Sequence, residues 1–403
     1  MATLAQPFYG CLCLETASKH PLPPADQRQQ AKIPLPEIHF NIWEEGIDTD
    51  PFLDVGVMLA VNDPAEHIEI FLPWAFAAPD IEDLSARILG SNGVSAVFNE
   101  AWTTSSGVNS PGGFVTRGDG TVFTILPYDQ PLIKKRQHRL GALHSIVLDV
   151  AQLARTSAAT AANAGKPPDH MYVRFRVKGA PQSFYRVGIE QSDALGGGAL
   201  NRTEIIDVRL NVRRGVPQAI EAFLNGRFIE FSKVQLFLMK SRNHDIVFED
   251  KLFRACRSLE DENFWSEYIL PKGSPPATIA KSLNQVKGSL GYQWKKTPDP
   301  GVSGVKEFGI LARFKSFTIS KRIGTLFLVL ALLVGALGNA VYDLGKWALT
   351  DPDENAASSQ ADATNLLSDV SKPQVGKKSA ETATKSDGKS THQNAGEEVR
   401  KWR

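Results

Sequence analysis

Short stretches in which apolar and polar side chains alternate recur along most of the chain. Residues 37–43 (EIHFNIW), 54–61 (DVGVMLAV) and 67–72 (HIEIFL) come first. A period of two sends successive side chains to opposite faces of an extended strand, and the β-branched and aromatic content suits a pleated sheet. Turn residues in EEGIDTDPF and NDPAE separate these runs, so three antiparallel strands are predicted. A short helix should follow, capped by Asp80, with Ile81, Leu84 and Ile88 on one face and Gly90 closing it. Strands are predicted again at 94–98 and 122–128, across the turn-rich NSPGG and RGDGT. Residues 143–150 (LHSIVLDV) fit a strand or a helix start equally well.

Residues 156–168 (TSAATAANAGKPP) are small, polar and punctuated, and mark the expected internal boundary. Beyond it, 172–178 (YVRFRVK) alternates cleanly, with Val173, Phe175 and Val177 toward a core and Arg174, Arg176 and Lys178 away from it. Residues 206–213 repeat the pattern: Ile206, Val208, Leu210 and Val212 inward, Asp207, Arg209, Asn211 and Arg213 outward. Further strands are expected at 184–190 and 233–240, a flexible loop at Gly196 to Gly198, and a short helix at 217–224 with Pro217 in its first turn. Residues 252–269 carry a helical face of Leu252, Cys256, Leu259 and Phe264.

The pattern then changes. Residues 271–302 are rich in Pro, Gly, Ser and Lys and read as a linker anchored by Tyr292 and Trp294. Residues 308–322 mix rings and cations, and Arg313, Phe314, Lys315, Phe317, Lys321 and Arg322 suit a lipid headgroup layer. Residues 323–342 (IGTLFLVLALLVGALGNAVY) contain no ionisable acid or base and read as one transmembrane helix. Past residue 350 large apolar side chains nearly vanish, which predicts a disordered tail.

The expected organisation is therefore a Pro-rich extended arm (1–36), β-rich modules at 37–155 and 169–270, a linker and juxtamembrane segment (271–322), a membrane helix (323–342) and a tail (350–403). The fold class is mainly β: an antiparallel, sandwich-like cytosolic region of one or two modules with a few short helices. Arg313, Lys315, Lys321 and Arg322 precede the span, whereas Asp343, Asp351, Asp353 and Glu354 follow it. By the positive-inside rule the N-terminal region is expected in the cytoplasm and the tail outside. The first residues, MATLAQPFYGCLCLETASKH, lack the pattern of a signal peptide, in keeping with that expectation.

Composition changes this picture little. With 403 residues, a net charge of +1 and 42% hydrophobic residues, the chain is ordinary globular material plus an anchor. Near-neutral charge argues against a surface wholly matched to nucleic acid. Cys11, Cys13 and Cys256 leave one thiol over in any pairing, and Cys11, Cys13 and His20 lack a second pair of zinc ligands.

The most specific chemistry is the basic strand face of Arg174, Arg176, Lys178, Arg209 and Arg213, whose guanidinium forks match phosphate or carboxylate. Its ligand classes are nucleotide, RNA, acidic protein and anionic lipid; its bland counterpart is a solvated sheet face paired with Asp207 and Glu190. Lys134, Lys135, Arg136, His138 and Arg139 form a second basic cluster, read as a surface loop. His244, Asp245, Glu249 and Asp250 are the best metal-hydrolase collection, though NHD also reads as a turn. His39, His67, His144 and His170 show no zinc spacing, and Gly196 to Gly198 lack a phosphate-loop context. No catalytic set and no cofactor are predicted. Ala331, Gly335 and Asn339 recur every four residues, a small-residue face suited to self-association of the membrane helix. The expected function is a single-pass membrane-anchored binding or sensing protein that engages a partner or anionic ligand through its basic face. The alternatives are a membrane-tethered, metal-dependent phosphoester hydrolase and a non-catalytic assembly subunit.

Overall fold

The computed structural model describes residues 12–16, 33–44, 51–90, 92–106, 112–138, 141–162, 167–191, 201–212, 228–270, 274–317 and 321–349. It divides into two units, Met1–Ile323 and Gly324–Arg403. Among the described residues the first is built on three sheets. The largest runs in the order β16 (Phe253–Ser258), β17 (Ser289–Lys296), β14 (Lys233–Ser241), β2 (Glu37–Trp43), β3 (Phe52–Ala60), β11 (His170–Val177), β8 (Val122–Leu126), β7 (Gly113–Thr116), β6 (Thr103–Ser106), with β5 (Ile81–Asp83) also on β11. Its pairs are antiparallel except β14 with β2 and β11 with β8. A second sheet orders β1 (Leu12–Thr16), β4 (His67–Leu72), β10 (Gly141–Asp149) and β9 (Leu132–His138). A third orders β12 (Arg186–Gln191), β13 (Asn201–Leu210), β18 (Phe308–Phe317) and β15 (His244–Phe248).

One face of the largest sheet shares a continuous apolar core with the two smaller sheets. Ile38, Val55, Val173, Leu236 and Trp294 meet Ile70 and Ile146 from the second sheet and Ile206, Val208 and Phe314 from the third. The opposite face carries a second core, closed by helices α1 (Ser85–Leu89), α2 (Gly93–Phe98) and α4 (Glu262–Ile269) through Ile88, Val94, Trp265 and Tyr268, with Val286 of α5 (Pro276–Lys287). The central strands are thus apolar-facing on both sides, which explains how β3 is buried nearly throughout.

Several local expectations give way to this packing. Residues 81–90 hold β5 and then α1, preceded by a 3₁₀ turn at Ala78–Asp80, because Ile81 to Asp83 pair with β11. Residues 94–98, predicted as strand, form α2. The 252–269 segment divides into β16 and α4, since Asp261 caps a new helix at Phe264 N. Residues 143–150 are strand to Asp149, where the Asp149 side chain caps α3 (Val150–Ala161). That helix occupies part of 156–168, and strands from both sides of this stretch pair within the largest sheet. Residues 271–322 are not a plain linker: α5, β17 and β18 lie there, and Tyr292 and Trp294 are buried core residues of β17. The predicted helix at 217–224, the loop at 196–198, most of the Pro-rich arm and the tail at 350–403 lie outside the described residues.

Helix α6 spans Lys321–Leu349, and from Gly324 on it is the described part of the second unit. Its segment Leu328–Lys346, with mean hydropathy 1.7, is long and apolar enough to cross a membrane, and Leu332, Leu337 and Val341 are exposed.

Gly56 of β3 is required by the close approach of Tyr172 from β11. A Cβ there would lie 2.1 Å from the Tyr172 hydroxyl and 2.8 Å from its ring carbon. Gly56→Ala is expected to push Tyr172 off the sheet and lower stability by about 1–3 kcal/mol, the usual effect of overpacking. Urea unfolding checks this; an unchanged midpoint would mean the ring moves freely.

Candidate functional site

Arg174 and Arg176 do project from β11 away from Val173 and Phe175, but that side is not solvated. They are 1% and 2% exposed, sealed beneath α4. The cause is topological: β11 lies inside the largest sheet, where both faces are covered. Arg176 donates to Asp54 through Nε at 2.7 Å and Nη2 at 3.2 Å, and its Nη1 reaches the Tyr268 and Ile269 carbonyls. Arg174 donates to the Tyr268 hydroxyl at 2.7 Å and the Tyr172 hydroxyl at 3.0 Å. Arg87 bonds the Tyr268 carbonyl at 2.6 Å and pairs with Glu82. The guanidinium groups thus meet the carbonyl end of α4, where the helix dipole favours cations. Burial lowers the affinity of Arg174 and Arg176 for their protons, but Asp54 and the facing tyrosines outweigh it, so both are raised and stay charged. Lys178 is the exposed member, 45% accessible and 3.2 Å from Glu82.

A second buried ionic group, unforeseen from sequence, joins the largest and third sheets. Lys240 of β14 bonds Glu44 and, at 2.9 Å, Glu204 of β13, while Arg186 of β12 pairs with Glu44 and lies 3.5 Å from Glu204. The Lys240 ammonium sits 5.0 Å from the Phe314 ring centroid. Its two cations balance its two carboxylates, as a buried cluster requires.

The outer face of the third sheet is open. On β13 the register places Thr203, Ile205, Asp207 and Arg209 opposite Lys315, Arg313, Leu311 and Gly309 of β18. Ile206, Val208 and Leu210 face the core as expected, and Asn211 is buried, donating to the Ile229 carbonyl at 3.1 Å. Arg209 is tied to Asp207 at 2.9 Å. Arg313 and Lys315 are exposed and have no carboxylate within bridging distance among the described residues. Around them lie exposed apolar side chains: Leu311 (45%), Val247 (59%), Phe248 (50%) and Val187 (47%). Phe314, assigned to the headgroup layer from sequence, is instead buried in the core, edge-on to Tyr292 at 4.8 Å, because β18 is a strand and alternates its faces. The side chains of Phe317, Lys321 and Arg322, and all of Arg213, lie outside the described residues.

A cleft of about 240 Å³ opens between α2 and the turn joining β16 to α4, lined by Asn92, Ser95, Asn99, Arg257, Ser258, Asp261 and Trp265 among others. No sequence pattern pointed to it, since its walls come from segments far apart in the chain.

The hydrolase collection does not converge. Asp250 accepts from the Leu252 and Leu311 backbone N–H groups at 2.8 and 3.0 Å, and His244 Nδ1 faces the Ser241 carbonyl at 3.3 Å. Among the described residues no three His, Cys, Asp or Glu side chains are grouped to hold a metal ion. Lys134, Lys135, Arg136 and His138 belong to strand β9 rather than a loop, and Arg139 lies outside the described residues. Ala331, Gly335 and Asn339 fall on one face of α6, and nothing lies within 4 Å of a Cβ built on Gly335. No family model matches the chain, and no curated protein matches it. A solved structure of the Danio rerio Fcho1 mu homology domain with bound Eps15 peptide aligns over 77% of this chain and 82% of that one. At 9% identity and a TM-score of 0.13, that likeness bears on neither fold nor function.

Proposed function

We propose that this chain is a single-pass membrane-anchored binding protein with a sandwich-like β region on the cytoplasmic side. In this reading α6 crosses the bilayer, the tail at 350–403 lies outside, and the open face of the third sheet rests on anionic lipid headgroups. The observation that carries it is β18: buried Phe308, Ile310, Ala312 and Phe314 alternate with exposed Leu311, Arg313 and Lys315 on a strand that only residues 318–320 separate from α6. Cations gain about 1 kcal/mol each near an anionic leaflet, and the neighbouring Val247, Phe248 and Leu311 add apolar contact. Basic residues before the span and acids after it support the orientation. The Ala331, Gly335 and Asn339 face would let two anchors associate.

The test uses the full chain in lipid nanodiscs. Acylation of Lys315 by a water-soluble reagent, read by mass spectrometry, is expected to slow about threefold or more when phosphatidylserine replaces part of the phosphatidylcholine. Arg313→Glu should restore most of the rate. Equal rates in both lipids would turn the reading toward an acidic protein partner on the same face.

A further inference from the structure

Val247 breaks the alternation of β15. The register pairs Ile246 with Phe314 and then Phe248 with Arg313, so Val247 is an extra residue without a Cα partner on β18, a β-bulge. Its effect on side-chain direction is specific. In an unbroken register Val247 would oppose Arg313, and Phe248 would oppose Ala312, which is buried on the core side with Ile310 and Phe314. The inserted residue instead sets Phe248 beside exposed Arg313. Val247 and Phe248, neighbours in sequence, are thus both open to solvent. A phenylalanine is turned away from a core within its reach, and the fold forgoes the burial it could have used.

Hydrogen bonds hold this tip in place. Asp250, two residues beyond Phe248, accepts from the Leu252 N–H at 2.8 Å and the Leu311 N–H at 3.0 Å, and the Phe253 N–H donates to its carbonyl. The connection from β15 to β16 is thereby tied to β18 at Leu311, itself exposed two residues before Arg313. Charges of both signs rim the tip: Arg313 and Lys315 on β18, Asp245 opposite Lys315, and exposed Glu249 just beyond Phe248. Phospholipid headgroups also carry both signs, a phosphate for the cations and an ammonium for the acids. A protein surface of one charge would match only half of this rim. Apolar side chains inside a charged rim suit the boundary between headgroups and acyl chains, and the same chain carries an apolar span in α6.

We propose that Val247 and Phe248 form a membrane-inserting tip that passes the headgroups and enters the upper acyl layer. This rests on the lipid-facing reading of the third sheet and gives that contact a depth and a point of entry.

The experiment places the fluorophore NBD on Val247→Cys in the full chain, in a background of Cys11→Ser, Cys13→Ser and Cys256→Ser, within nanodiscs of phosphatidylcholine and phosphatidylserine. Lipids bearing a nitroxide on the headgroup, on the upper acyl chain or near the chain end report depth, and iodide reports exposure to water. The upper-chain nitroxide is expected to quench most, by about twofold. Phe248→Ser should remove most of that quenching while the urea midpoint stays near wild type, because the side chain it replaces is exposed. Phe248→Trp should retain it. The same label on Lys287→Cys of α5, on the opposite side of the largest sheet, should lose little. Quenching by the headgroup nitroxide alone, or equal loss at Lys287→Cys, overturns the insertion. Shielding of Lys315 by anionic lipid without quenching at Val247→Cys also overturns it and leaves the headgroup reading standing; absence of both effects removes the two together. Shielding from iodide with no quenching by any lipid would give the tip to a protein occupant and overturn the proposal.

Discussion

Asp54→Ala is expected to cost the β domain about 3–5 kcal/mol of unfolding free energy, a large share of the 5–15 kcal/mol typical of a folded domain. The Asp54 carboxylate is fully buried and accepts from four groups: Arg176 through two nitrogens, the Tyr268 hydroxyl at 2.9 Å and Trp43 Nε1 at 3.1 Å, with Arg174 Nη2 at 4.0 Å. One carboxylate faces two buried guanidinium groups, and the remaining excess of positive charge is met by the carbonyl end of α4. Alanine leaves both cations without their anion and several donors unpaired, which is worse than having no charges there at all. The double variant Asp54→Ala with Arg176→Met should therefore lose less than the sum of its single changes. Urea unfolding followed by tryptophan fluorescence reads all three. A single-variant cost below about 1 kcal/mol would mean that water enters beneath α4 and replaces the carboxylate.

The mainly β character was legible because period-two alternation survives in β2, β11 and β13 whatever they pack against. What each outward face meets was not. Arg174 and Arg176 alternate as a solvated strand face would, and only the helix α4 laid over that face covers them. The partner was visible in hindsight as a lone acid, Asp54, in the apolar run FLDVGVMLA, but its pairing with Arg176 is a matter of cross-strand register rather than spacing. Residues 271–317 misled by composition. Their Pro, Gly, Ser and Lys content resembles a linker, yet Leu290, Tyr292, Trp294, Phe308, Ile310 and Phe314 sit at strand spacing and fill the core. The α6 helix was the plainest signal, since twenty-odd apolar residues need no tertiary context to be recognised. The cleft at Arg257 was illegible for the opposite reason: Asn92, Asn99, Arg257 and Asp261 gain meaning only when α2 is laid against the end of β16.

Acidification from pH 6.5 to 4 is expected to destabilise the domain by about 3 kcal/mol through His39 alone. Burial against Phe98 and Tyr172 pushes its imidazole down from 6.5 to about 4, with Lys233 and Arg174 adding to the shift and Glu37 opposing it at 3.5 Å. The sign follows from proton counts. Above pH 6.5 neither state carries the proton, so His39 contributes nothing. Between 6.5 and 4 the unfolded chain binds a proton that the fold refuses, and stability falls as pH falls; below 4 both states bind it and the loss stops growing. Glu37 acts in a lower window. Burial raises its carboxyl, but the His39 and Lys233 contacts outweigh this and hold it near 2, so its stabilisation is present above 4.5 and lost only as pH falls toward 2. The two windows barely overlap, which makes the test clean. His39→Gln should flatten the stability profile between pH 6.5 and 4 and, because the His39 contact helps hold Glu37 low, also shrink the decline below 4.5 to the part that Lys233 sustains. An unchanged slope in that variant would assign the upper window to another group and show that His39 takes its proton within the fold.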